Sequence, residues 1–554
     1  MVNYTIDIHL LRLMHIKDDH LSSHLVNADC NMEIGVRILG AVQLIISLLL
    51  IPVFYLLSFR KIKYVPPIKS DLLKLSATQL AKKIRNKELT SQEVVEAYIA
   101  RIREVNPLLN AVVEDRFEDA RQDAINVDKL ITSGQKDSKT LEEETPLLGV
   151  PVTVKESCCV KGMSYCVGSL PRMGVKAEQD GQAVSNIKKA GGIPLCVTNT
   201  PELCLCWESN NLVTGKTNNP YNIYRTSGGS SGGEGALLGA GASLVGIGSD
   251  IAGSIRIPAM FNGVYGHKPT PRMISLEGHY PISKDDKFSK FLVLGPLTRY
   301  VEDLTLMMKV MGGENAKMLH LDQEVNLGSI NVFYQESAGF SLVNVGVQDE
   351  ITTRMLEAAA YLKNNHGCTV RKGNFDLGDS VEMSGAVFLG LNDIPHLLDI
   401  SKIKKRTEMS VYVEFFKSLL GLSEFSINGM LFMLLLEHRL MISESTYPYY
   451  NKLNEMLKQS FAESLKDNGV LLYPTFPVAA LHHGEIFVKT AGVMYTIIFN
   501  SLELPSTHVP LGLDKNGLPI GIQVVAAPYQ DRLCLAVAKA LDEKYRGWIP
   551  PPSA

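Results

Sequence analysis

The sequence predicts a single large α/β domain carried behind one membrane-spanning helix. Three observations lead there. Helical periodicities alternate with short apolar, β-branched runs, the pattern of strands buried between helices. No repeat of about 20–50 residues and no clear linker divides the chain after residue 70, so most of the 554 residues read as one domain. One stretch near the N-terminus, Ile38 to Phe59, carries no charged side chain over 22 residues.

Taken in order, residues 1–37 resemble neither a domain nor a targeting signal. Met32 stands as an alternative initiator, so this segment reads as dispensable. The run 38–59 has Gln43 as its one strongly polar side chain. At about 1.5 Å rise per residue it matches the roughly 30 Å of a bilayer core. A buried core helix and a cleaved signal peptide are the competing readings. Against the second stand the length of the run and Arg60, Lys61 and Lys63, which occupy the place of small cleavage-site residues. These cations, with Lys69 and Lys74, outnumber the lone Arg37 on the other flank. The positive-inside rule then puts the C-terminal part in the cytoplasm. The expected location is a membrane, the endoplasmic reticulum or a lipid droplet, with a single-pass N-terminal anchor.

Residues 60–69, with Pro66-Pro67, form a linker. Residues 70–105 predict two amphipathic helices capped by Ser76 and Thr90, with Leu80, Ile84, Val94, Val95, Tyr98 and Ile99 on the apolar face. Gly149-Val-Pro-Val-Thr-Val154 reads as a buried strand, 181–190 as a helix and Ile193–Val197 as a second strand. Residues 219–226 read as loop. Residues 411–436 are strongly apolar, with Gly421 separating two helices. They form either core or a cap that dips into one leaflet, Phe432 and Leu435 then meeting the lipid. Residues 546–554 are a tail.

Composition excludes several classes. Hydrophobic residues at 45% and charged residues at 20% are ordinary for a globular chain and rule out collagen, disordered tails and small disulfide scaffolds. A net charge of −3 supplies no global field for nucleic acid. Mean hydropathy of +0.06 is too low for a polytopic membrane protein and leaves room for one span. Nine cysteines, an odd number at low density, read as buried or free thiols. Cys158-Cys159 and Cys204-Leu-Cys206 lack the second ligand pair that a zinc knuckle needs.

The chemistry lies between residues 149 and 270. The most unusual stretch is Ser227-Gly-Gly-Ser-Ser-Gly-Gly-Glu-Gly235. A flexible linker is excluded by the apolar pattern that continues directly from it, and a phosphate-binding loop by the missing Gly-Lys-[Ser/Thr]. Gly239-Ala-Gly241 and Gly246-Ile-Gly248 lack the third glycine of a dinucleotide fingerprint. Gly228-Gly-Ser230-Ser-Gly232 matches a nucleophile elbow, but that motif needs a preceding strand. A different arrangement fits better. Glycines let several backbone N–H groups converge on one point, as an oxyanion requires, and the amides of Ile251, Ala252, Gly253 and Ser254 are placed to do so. A serine nucleophile needs a base, and no histidine stands at a suggestive spacing. Lys155 ends the apolar strand, where lost hydration favours its neutral, proton-accepting form.

The Gly/Ser run, with Gly248-Ser-Asp-Ile-Ala-Gly-Ser-Ile-Arg-Ile-Pro-Ala259 after it, resembles the amidase signature family, whose catalytic set is a Ser–cisSer–Lys triad. The resemblance puts the lysine on Lys155 in Pro151-Val-Thr-Val-Lys155-Glu156, the bridging serine on Ser230 in a cis peptide bond, and the nucleophile on Ser254. Further matches are Thr198-Asn-Thr-Pro-Glu-Leu203, Asn218-Asn-Pro-Tyr221, Gly266-His-Lys-Pro-Thr270, Leu472-Tyr-Pro-Thr475 and Gly517-Leu-Pro-Ile-Gly-Ile-Gln523. They stand in family order and make residues 70–545 the amidase domain. The resemblance implies a large mixed β-sheet sandwiched by helices, chemistry without metal or cofactor, and a homodimer. It also implies that Ser231 supports Lys155 by hydrogen bonding and that Asp250 and Arg256 brace the Gly-rich loop. Leu203, Cys204 and Trp207 would line the pocket.

Within the family the chain is most similar to the fatty-acid amide hydrolases. These cleave N-acyl ethanolamines and primary fatty amides to fatty acid and amine, so the expected partners are a lipid amide substrate and a membrane. One departure is Ala252, where the family commonly has glycine. If that residue requires φ > 0, alanine would strain the oxyanion site by about 1 kcal/mol or more. The alternatives are an amidase of another small amide or ester, a membrane scaffold without turnover, and a component of a transferase for aminoacyl-tRNA. The intact Lys155, Ser230 and Ser254 set argues against the scaffold. The span, the aliphatic cap and the lack of a basic face argue against the transferase.

Overall fold

The computed structural model describes residues 62–339, 345–403, 405–437 and 444–552, with residues 42, 45–50, 52–57, 59, 60 and 442. Helices begin where the sequence places caps. Ser76 opens α1 (Ala77–Arg85) and Thr90 opens α2 (Ser91–Leu109). In each, the cap hydroxyl accepts from the N–H three residues on, and Gln79 or Glu93 reaches back to the cap N–H. The predicted apolar face, Leu80 through Ile99, is fully buried.

Eleven strands form one sheet: β1 (Val112–Asp115), β2 (Pro151–Lys155), β3 (Ile193–Thr198), β4 (Val245–Asp250), β5 (Tyr265–Lys268), β6 (Val293–Thr298), β7 (Asn331–Tyr334), β8 (Thr369–Lys372), β9 (Gly469–Pro474), β10 (Ser506–Leu513) and β11 (Pro519–Ala526). Their spatial order is β1-β3-β2-β4-β6-β5-β10-β11-β9-β7-β8. The sheet is mixed: β2 runs parallel to β3 and β4, while β4 pairs antiparallel with β6 and β11 antiparallel with β9 and β10. Strands β2 to β6, β9 and β11 are buried at every residue, which is why β2 and β3 read as apolar runs rather than alternations.

Helices cover both faces. Besides short helices at Ser138–Glu144 and Phe288–Phe291, they include α3 (Phe117–Ser133), α4 (Gln182–Lys189), α5 (Gly232–Gly239), α6 (Arg256–Phe261), α7 (Glu302–Gly312), α8 (Asp349–His366), α9 (Ser380–Leu389), α10 (Val411–Leu419), α11 (Ile427–Glu437), α12 (Tyr447–Leu465), α13 (Met494–Ser501) and α14 (Asp531–Tyr545). Strand periodicity assigns the faces. Val470 and Leu472 of β9 join the core with α8 and α14, whereas Leu471 and Tyr473 join the core with α9, α12 and α13.

The predicted helix at 181–190 and strand at 193–197 are found as α4 and β3. The break at Gly421 is found with φ +68° between α10 and α11. The loop expected over 219–226 contains a short strand, Asn222–Thr226, paired with 218–219 in a two-stranded ribbon apart from the main sheet. The eight described cysteines are all free thiols.

At the N-terminal side, residues 42, 45–50 and 52–57 are helical and largely exposed, Leu49 at 71% and Leu56 at 69%. Residues 1–41, 43, 44, 51 and 58 lie outside the described residues, and with them the N-terminal segment and part of the proposed span. Among the described residues no helix is long and apolar enough to cross a membrane. Residues 63–67 lie against the domain. The Lys63 carbonyl accepts from Ile223, and Arg101 donates to the Pro66 carbonyl at 2.7 Å. The C-terminal segment also docks, Trp548 Nε1 donating to the Gly239 carbonyl at 3.0 Å.

Candidate active site

Strand β2 carries Lys155 at its C-terminal end, and burial of the whole strand leaves this side chain with no exposure. Its Nζ donates to Ser230 Oγ at 2.6 Å and to Ser249 Oγ at 2.9 Å. Ser230 sits in the turn before α5, and the Gly229–Ser230 peptide is cis. Glycine is required at 229, where a Cβ would meet the backbone of Cys206, Trp207 and Glu208 at 2.8 Å. The second partner of Lys155 corrects the expectation for Ser231. The Ser231 hydroxyl points instead at the Ser249 carbonyl, 3.5 Å away, and its N–H donates to the Ser254 carbonyl at 3.1 Å. Ser249 takes the place because β4 lies beside β2 in parallel register, Val154 opposite Ile247, which brings the ends of the two strands together. The signal available in the sequence was its position in Gly-Ser-Asp, one residue before Asp250.

Beyond β4 the chain turns through residues 251–255 into α6. Asp250 and Arg256 are both fully buried and paired at 3.0 Å. Asp250 also accepts from the N–H of Gly253 at 2.7 Å and of Ile255 at 3.0 Å. Arg256 donates further to Gln523 and Asn500, and Asn500 returns a bond to the Asp250 carbonyl. Burial alone would raise the Asp250 carboxyl, but the guanidinium and the two amides override it and hold the group well below the usual carboxylate range.

This bonding changes the proposed oxyanion set. The Gly253 amide is taken by Asp250, because the turn wraps around that carboxylate. The N–H groups of Ile251, Ala252 and Ser254 have no protein acceptor among the described residues. The strain anticipated at Ala252 does not arise. The left-handed residue is Gly253, at φ +106°, where a Cβ would meet Thr496 Oγ1 at 2.3 Å. The Ala252 carbonyl accepts from Trp207 Nε1 at 3.1 Å and from Thr496 Oγ1 at 3.0 Å.

Ser230, Ser249, Ile251, Ala252 and Ser254 share one cavity. Its other walls are mostly apolar: Leu203, Leu205 and Trp207 on one segment, and Phe288, Phe291, Phe388 and Phe432 from elsewhere in the chain. Cys204 lines it too, its Sγ 3.3 Å from Thr200 Oγ1. Sequence reasoning missed His279, which also lines the cavity. Its Nδ1 lies 3.0 Å from the Pro281 carbonyl, and burial followed by the charge of Lys155 pushes the ring down to about 3. Nothing in its sequence spacing announces it, since it lies in the loop between β5 and β6 and reaches the cavity only in the folded chain. Phe432 faces this cavity, so it is not the lipid-facing residue expected, and the side chain of Leu435 lies outside the described residues. The exposed apolar face of the cap is on α10 and the turn after it: Phe416, Leu419, Leu420 and Leu422. The cap joins the site through Glu202, whose Oε2 accepts from Ser426 N–H at 2.8 Å. Burial raises that carboxyl to about 7.

Comparison with known proteins bears on this geometry. The family model described as Amidase matches residues 93–535. Fatty-acid amide hydrolase 2-A of Danio rerio is 43% identical over 492 residues, 88% of this chain and 91% of that protein. Fatty-acid amide hydrolase 2 of Homo sapiens is 39% identical over 492 residues, 88% and 92% of the two chains. Among solved structures, a fatty acid amide hydrolase superposes with a TM-score of 0.65 at 23% identity, covering 85% of each chain. A 6-aminohexanoate cyclic dimer hydrolase, solved with its substrate, gives 0.67 at 24% identity, covering 87% of this chain and 99% of that one. These two establish a shared fold. The family match over most of the chain, with relatives near 40% identity, establishes more: the protein is an amidase-type hydrolase and belongs to the amidase signature family.

Proposed function

We propose that this enzyme hydrolyses fatty-acid amides, N-acyl ethanolamines and primary fatty amides, through Ser254, Ser230 and Lys155. The observation that carries the reading is the cavity itself: an apolar space walled by Leu203, Leu205 and several phenylalanines, lined also by Ser254 and by Ser230, the serine bonded to buried Lys155. The relatives named for fatty-acid amides, near 40% identical over most of both chains, support the same substrate class.

Neutral Lys155 takes the proton of Ser230, which takes that of Ser254. Ser254 Oγ bonds to the amide carbon, and the carbonyl oxygen becomes an oxyanion held by the N–H groups of Ile251, Ala252 and Ser254. The C–N bond breaks as the proton returns through Ser230 to the nitrogen, releasing the amine. Water then adds to the acyl-enzyme and yields the fatty acid, restoring Ser254. Asp250 and Arg256 hold the turn in place and do not touch the reacting atoms. Access from a membrane completes the proposal. The 38–59 stretch serves as the anchor, and the exposed face of α10 with Leu420 and Leu422 rests in the leaflet from which substrate enters.

The deciding experiment is labelling of detergent-solubilised protein with a serine-directed fluorophosphonate, followed by sequencing of the modified peptide. Label on Ser254 that an N-acyl ethanolamine competes away is the expected result. Label on Ser254 without competition would replace the substrate class. Label on Ser230 or Ser231, or none, would remove the mechanism.

A further inference from the structure

The Ala252–Gly253 peptide lies in the middle of the turn that presents the three free amides, and the fold grips both of its ends. Its N–H is held by Asp250 Oδ1 at 2.7 Å. Its carbonyl is held by Trp207 Nε1 at 3.1 Å and by Thr496 Oγ1 at 3.0 Å. The two carbonyl donors are not equivalent. The single hydroxyl proton of Thr496 is shared with the carbonyl of Val493, the residue that caps α13, also 3.0 Å away. Trp207 Nε1 has no such competitor, and an indole N–H can only donate.

Trp207 is itself held from two sides. Its neighbour Glu208 accepts from the Gly484 N–H at 2.9 Å and lies 2.6 Å from His483 Nδ1. Its other neighbour, Cys206, receives a contact from Asn428 of α11 at 3.5 Å. The backbone of 206–208 also packs against Gly229, beside Ser230. The indole ring at the same time walls the cavity.

We propose that Trp207 is a positioning residue. Its indole N–H fixes the plane of the 252–253 peptide, and so the direction of the Ala252 and Ser254 amides on either side, while its ring contacts substrate only as wall. Peptide planarity ties the two grips into one: a plane held at the carbonyl and at the N–H cannot turn about ψ of Ala252 and φ of Gly253, which removes one of the two soft dihedrals between it and each neighbouring amide. The inference rests on the oxyanion assignment made above, and Thr496 is the secondary support.

The test is Trp207→Phe in the full chain, which removes the donor and keeps an aromatic wall. The expected result is a kcat lower by about 10- to 100-fold, less than the 10²–10³-fold of removing an oxyanion donor outright, with KM within about twofold. A fatty-acyl trifluoromethyl ketone forms a tetrahedral oxyanion adduct on the serine, so its affinity should fall in parallel, while affinity for the product fatty acid should not change. Thr496→Val should cost less, and Thr496→Ser should restore wild-type kcat, which keeps the proposal testable if the tryptophan variant folds poorly. Unchanged kcat in Trp207→Phe, or a loss confined to KM and product affinity, would overturn it and leave Trp207 as wall alone. Loss of kcat in Thr496→Val that Thr496→Ser does not restore would overturn the clamp of this carbonyl. Absence of label on Ser254 in the wild type would instead remove the oxyanion reading on which the inference stands.

Discussion

The floor of the cavity and its cap are built on opposite principles. In the floor, Asp250, Arg256, Gln523 and Asn500 are fully buried and bonded to one another and to the backbone of the turn they support. In the cap, α10 and the turn after it expose Phe416 at 63%, Leu420 at 73% and Leu422 at 72%, and the polar ties from the start of α11 to the site are few, the Ser426 N–H to Glu202 and Asn428 to Cys206. Under the proposed function the difference follows from what each region would have to do. Oxyanion donors act only when aimed in advance, which a dense set of charged hydrogen bonds enforces. A surface that admitted apolar chains, as proposed for the cap, would gain from exposed hydrocarbon and a light tether.

If the floor alone performs chemistry, Ser254→Ala should lower kcat by about 10³-fold or more with no loss of fold, measured by turnover and circular dichroism. Retained turnover would dissolve the distinction. Next in size, Asp250→Asn leaves Arg256 without its counter-charge and should cost about 3–5 kcal/mol in denaturant unfolding. Because Asp250 is held below the ordinary carboxylate range, its contribution is complete above about pH 5 and is lost as pH falls toward the depressed value.

The cap should respond with the opposite sign. Glu202 is raised by burial from 4.5 to about 7, so the folded state keeps its proton longer than the unfolded chain does. Stability then falls as pH rises from 4.5 to about 7 and levels off above, an effect of about 3 kcal/mol. Burial raises Glu234, between Thr153 and Thr198, and Glu382 to about 7 as well, and Asp303 to about 6, so a global measurement mixes them all. Amide exchange of residues 426–437 isolates the cap. Its protection factor, the rate corrected for base-catalysed intrinsic exchange, should fall across this range in the wild type and stay flat in Glu202→Gln. The smallest effect is at the surface. In a chain lacking residues 1–60, Phe416→Ser and Leu420→Ser should each weaken partition to phospholipid vesicles by about 10-fold, roughly 1–2 kcal/mol. Equal binding of wild type and variants would assign that face to something other than lipid.

What was legible in the sequence follows the same division. Caps, apolar faces and buried strands are local properties, so Ser76, Thr90, β2 and β3 are found where periodicity and capping chemistry put them. The Gly/Ser run marked the floor because close backbone approach demands glycine, as at Gly229. The cap was ambiguous because apolar periodicity does not say which apolar face is covered. Phe432 turned inward and Phe416 outward within the same hydrophobic stretch.

The sequence by itself determined the α/β class, the residues from which the floor is made and the presence of an apolar cap, since each depends on neighbours a few positions apart. Tertiary structure decided which of those residues meet. Ser249 rather than Ser231 bonds Lys155, Asp250 claims the Gly253 amide, and Trp207 and Thr496 close on one carbonyl. The Trp207 and Thr496 contacts join positions 45 and 244 residues apart in the chain. Hydrogen bonds act over about 3 Å, and only the packing of the sheet and its helices brings such distant groups within that range.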